Sequence, residues 1–207
     1  MNLRPTEAEL QEGLAQAQKW LKQDPTDWIA IENIARCLHW SNDPSARERF
    51  RQAAELAGPA KKWAQNPAGL IRLGNLYRLA GDEKKAKEIF NLAVRVLEPS
   101  VRKPKPNLIS AADLVEVYFL LGEDEKAEAV WEQFRSQFRH ELRVHAVGQL
   151  ARERRTGDRA AALEIAKAFA EMIREEKTLV YYTAAGLTLW DWYELAMETA
   201  GMNSRQA

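Results

Sequence analysis

The side chains best suited to chemistry in this sequence are three histidines, His39, His140 and His145, and one cysteine, Cys37. His140 and His145 are five residues apart, which sets them about 140° apart around a helix, a poor arrangement for sharing a ligand. No H-E-x-x-H zinc pair, P-loop, G-x-S-x-G nucleophile turn or dinucleotide fingerprint occurs. A lone cysteine cannot close an intrachain disulfide, and there is no cysteine set to hold a metal. Cys37 stands between Arg36 and Leu38 in an apolar-periodic run and is expected to be a buried structural thiol. Acids are plentiful but fall in runs such as Gly122-Glu123-Asp124-Glu125-Lys126, which read as solvated helix faces. The expectation is no enzyme activity, no cofactor and no metal.

Two groupings could act by binding instead. Arg135, Arg139, Arg143, Arg152, Arg154 and Arg155 crowd one stretch, with Glu132, Glu141 and Glu153 offsetting part of the charge. Arg135, Arg139 and Arg143 recur every four residues and would form a docking stripe for an acidic partner on a continuous helix. A turn near His140 would break that stripe, leaving charge-paired surface. The second grouping follows Lys177, in TLVYYTAAGLTLWDWYELAMETAG. Leu187, Trp190, Tyr193, Leu195 and Met197 offer more apolar surface than one helix face hides. This segment is expected to cap the fold. A homodimer contact or partner hot spot is the alternative, with Trp192 as the residue to test.

Bulk properties agree with a binding protein. The chain has 207 residues, is 46% hydrophobic and 29% charged, and can therefore bury a core. Thirty basic residues balance thirty acidic ones, so there is no global basic footprint for nucleic acid. The first residues, MNLRPTEAEL, lack the apolar centre of a signal peptide, and no run approaches the roughly 18 apolar residues of a membrane span. With one cysteine, a reducing, cytoplasmic setting is expected.

The elements that would position these residues are helical throughout. Thr6 and Glu9 form a capping box for a first helix that ends before Pro25, giving an N-terminal segment over 6–26. Leu10, Leu14, Ala17 and Leu21 give it one apolar face. Asp27 can cap a second helix, Trp28 to Trp40, with Ile31, Ile34, Ala35 and Leu38 as its core stripe. Ala46, Phe50, Ala53 and Ala54 mark a third helix. Asn66-Pro67 opens the next pair, and Pro99 to Asn107 (PSVRKPKPN) is expected to be an extended spacer. Leu114, Val117, Tyr118 and Leu121 face Ala127, Val130, Trp131 and Phe134 across Gly122-Glu123. Val144, Val147 and Leu150 precede Gly157-Asp158 and a helix carrying Ala162 and Phe169. Thr188 could cap a final helix ending at Gly201.

Within this series, Pro67 to Pro99 is the best-formed unit. Leu73, Gly74 and Tyr77 mark its first helix, Ala80-Gly81-Asp82 its turn, and Ala86, Phe90 and Ala93 its second helix. That pattern resembles the tetratricopeptide repeat (TPR) family. Ala46, Phe50 and Ala53 reproduce the spacing of Ala86, Phe90 and Ala93, with Ser41 at the turn in place of glycine. Tyr118 matches Tyr77, Trp131 matches Phe90, and Val115 replaces Gly74. Turn spacings from Ser41 to Gly81, Gly122 and Gly157 are 40, 41 and 35 residues, against about 34 in a regular array.

The resemblance implies an all-α fold: a short, irregular α-solenoid of TPR-like antiparallel helix pairs forming a single domain over 1–207. The pairs fall at 27–58, 67–99, 108–138 and 142–176, with a capping C-terminal helical segment at 178–201. It further implies partner binding on the inner surface made by the first helices. Aligned on the turns, Trp28, Ile31, His39, Ile71, Asn75, Arg78, Glu116, Phe119 and Arg154 face that surface. Asn75 matches one position of the clamp that holds chaperone carboxylates, but Ile71 replaces its basic neighbour, so that mode is not implied. The expected function is a protein–protein interaction module, an adaptor or chaperone-like binder holding a peptide or partner helix. The alternative is a bacterial immunity-type protein that neutralises a toxin by direct binding. The expected partner is a protein or peptide, with no nucleic acid and no membrane.

Overall fold

A computed structural model describes residues 5–138, 142–176 and 187–203. Among these there are ten α-helices and no strand. In chain order they are α1 (Glu7–Gln23), α2 (Trp28–Trp40), α3 (Ala46–Ala57), α4 (Pro67–Leu79), α5 (Glu83–Val101), α6 (Leu108–Leu121), α7 (Asp124–Phe134), α8 (Leu142–Thr156), α9 (Arg159–Glu176) and α10 (Leu189–Thr199). A 3-10 turn, Ala60–Trp63, separates α3 from α4.

Local chemistry starts most of these helices where the sequence predicts. Thr6 and Glu9 close the reciprocal capping box of α1, with the Thr6 N–H donating to Glu9 Oε2 at 2.6 Å. Asp27, Asn66, Asp82 and Asn107 accept backbone N–H bonds at the starts of α2, α4, α5 and α6. The turns of the later pairs place Gly81, Gly122 and Gly157 at positive φ. In the first pair that position belongs to Asn42, at φ 58°, and not to Ser41. Asn42 tolerates the left-handed region because its short polar side chain can bond locally. The Asp43 N–H then reaches Leu38 O just as the Asp82 N–H reaches Tyr77 O, at 2.8 and 2.9 Å.

One boundary differs from expectation. The sequence predicts an extended spacer from Pro99, but α5 continues to Val101. A proline in the last turn forfeits one hydrogen bond. Val101 is buried in the core, and that burial carries the helix past the proline. Asn107 then caps α6.

Each helix packs on the next in chain order, and the pairs α2/α3, α4/α5, α6/α7 and α8/α9 stack into a solenoid-like array. Close packing depends on small residues where helices cross. A Cβ on Gly74 would lie 2.5 Å from Phe90 Cε1. Trp131, which occupies the Phe90 position in the next pair, rests against Gly148 of α8, where a Cβ would lie 2.2 Å from Trp131 Cγ. Val115 therefore needs no glycine: the aromatic ring uses a gap in the following helix. Because Phe90 is fully buried and has nowhere to move, Gly74→Ala is expected to destabilise the chain by about 1–3 kcal/mol. The shift of its urea unfolding midpoint checks this.

No helix among the described residues is long and apolar enough to cross a membrane. α10 packs on α9 and α8 as the next helix of the series. It also reaches back to α2 at the opposite end of the array, so the first helices curl around it.

Candidate functional site

The cleft between the first helices of the pairs is filled by α10. Thr188 caps that helix, its Oγ1 accepting from the Asp191 N–H while the Thr188 N–H donates to Asp191 Oδ2 at 2.7 Å. Residues Leu189 to Met197 are all buried, including Asp191 and Glu194. Trp192 is 0% exposed. Its ring lies 5.7 Å from Phe119 of α6 and is stacked 6.5 Å from Phe169 of α9. Trp190 meets Trp40 of α2 edge-on at 4.8 Å.

Charge fixes the seating. Arg36 Nη1 donates to both oxygens of Asp191 at 2.9 Å. Its Nε and Nη2 donate to Glu32 at 3.1 and 2.8 Å. Arg72 of α4 donates to the other Glu32 oxygen, with Nε at 2.9 Å and Nη2 at 2.5 Å. His39 Nε2 lies 2.9 Å from Glu194 Oε1. Burial pushes the Asp191 carboxyl up, but Arg36 and, more distantly, Arg78 outweigh it and hold the group at about 2. Arg36 is correspondingly raised by its two carboxylate partners against the effect of burial.

The residues singled out from the sequence fall in different places. His39, Phe119 and Trp192 meet at α10, and Arg78 lies within electrostatic reach of Asp191 while donating to Asn75 Oδ1 at 2.9 Å. Arg154 adjoins this group: its Nη2 donates to Phe119 O at 2.6 Å, and its guanidinium covers the Phe119 ring at 3.7 Å and pairs with Asp124. Ile31 and Ile71 are fully buried core. Trp28 stands apart, edge-on to Trp63 at 6.1 Å with Arg72 over its ring at 4.5 Å. Glu116 faces Arg143 Nε at 2.8 Å on the α6/α8 side. The Trp192 side chain is inside the chain, so a homodimer contact through it would require α10 to leave the cleft.

Sequence reasoning missed Glu32, Arg36, Asp191 and Glu194. A signal was present. Glu32 and Arg36 are an i, i+4 acid–base pair on the largely apolar helix Trp28–Trp40.

The groups considered for chemistry are committed to structure. Burial pushes the Cys37 thiol up to about 11, far from the reactive thiolate range. His145 accepts from Trp131 Nε1 at 3.1 Å, so its other nitrogen, Nε2, carries the proton and donates to Phe138 O at 3.1 Å. His140 and Arg139 lie outside the described residues. α7 ends at Phe134 and α8 begins at Leu142, so Arg135 and Arg143 do not share a helix. Arg152 and Arg155 pair with Glu128, and Arg152 also with Glu132. Among the described residues no His, Cys, Asp and Glu group could hold a metal.

An open groove of about 460 Å³ runs between α8 and α9, lined by His145, Gln149, Ile165, Glu171 and Met172 among others. A cavity of about 10 Å³, room for one water, lies under α10 against Asn33, Arg36, Cys37, Thr188 and Trp190.

Asp113 on α6 is a further buried carboxylate. Burial pushes Asp113 from 3.8 up to about 6, against the opposing pull of Arg143. In the unfolded chain the group ionises near its ordinary value, so the folded state alone holds the proton between about pH 4 and 6. Stability conferred by that proton is lost as pH rises through this window. Asp113→Asn is therefore expected to remove that slope and to stabilise the chain at pH 7 by about 1–3 kcal/mol. Urea unfolding from pH 4 to 8 checks both effects.

No protein-family model matches the chain, and no curated protein matches it.

Proposed function

We propose that the chain is a protein–protein interaction module of TPR-like helix pairs that holds a helix in the cleft between its first helices. The observation that carries this reading is α10 itself. An 11-residue helix with two buried acids is gripped there by Arg36, His39, Phe119 and Phe169. That is helix-in-groove recognition, with aromatic anchors for affinity and ion pairs for register. The commitment of Cys37 and His145 to structure supports a binding role over a catalytic one.

Affinity purification of the full-length chain from its native cell, read by mass spectrometry, tests the proposal. A stoichiometric protein partner is expected. Recovery of no partner, together with thermal stabilisation by a small molecule at defined stoichiometry, would overturn it.

A further inference from the structure

We draw no further inference here: the strongest candidate, the open groove between α8 and α9 with its apolar floor of Ala146, Ile165, Ala168 and Met172, is an unpartnered face, and nothing in the structure shows what covers it.

Discussion

Trp192→Ala will lower the unfolding free energy by about 3–5 kcal/mol. The indole is fully buried between Phe119 of α6 and Phe169 of α9. Truncating it removes the largest fully enclosed side chain and leaves a cavity that two flanking rings on separate helices cannot both collapse into. The effect reaches beyond one contact because α10 links the last pair to α2 through Arg36–Asp191 and Trp40–Trp190. Trp192→Phe keeps an aromatic ring in the site, and should cost less than half as much. Urea unfolding followed by circular dichroism measures both. Equal, small losses would mean that the ring contributes little to seating α10.

Glu32→Ala should destabilise the chain by a similar amount, about 3–5 kcal/mol, because it removes one member of a buried ionic network. Glu32 is 2% exposed, and its carboxylate receives four N–H bonds, two each from Arg36 and Arg72. Without it, two guanidiniums approach one another in a desolvated setting, with Asp191 as the remaining carboxylate on Arg36. The double substitution Glu32→Ala with Arg72→Met should be less destabilised than Glu32→Ala alone, since it also removes one of the stranded cations. A double-mutant cycle at pH 7 checks the coupling. On the acid side, Asp191 is held at about 2, so its stabilisation is complete above its ordinary value of 3.8 and is lost as pH falls through about 2.

Both effects depend on contacts far apart in the chain, which explains what was legible beforehand. The helix starts at Thr6, Asp27, Asn66 and Thr188 follow from capping chemistry within three residues. The turns at Gly81, Gly122 and Gly157 follow from the need for positive φ. Ser41 misled as the marker of the first turn because Asn42, one residue on, can adopt that conformation too. Pro99 misled because the burial of Val101 outweighs a local rule.

The candidate site shows the same division. Phe119, His39 and Arg78 could be placed on the inner face by counting from the turns, since register along a helix is a local property. Ile31 and Ile71 share that register, yet they are enclosed by neighbouring helices, which counting cannot reveal. The aromatic and acidic character of the C-terminal segment was plain in its composition.

By itself, then, the sequence determined an all-helical chain, most of its helix ends and the faces those helices present, because hydrogen bonding and apolar periodicity act over a few residues. Tertiary structure alone decided where α10 lies. Arg36 and Asp191 are 155 positions apart, and no local rule couples them. They meet because stacking the helix pairs brings Arg36 of α2 beside the start of α10, where Asp191 is buried among aromatic rings.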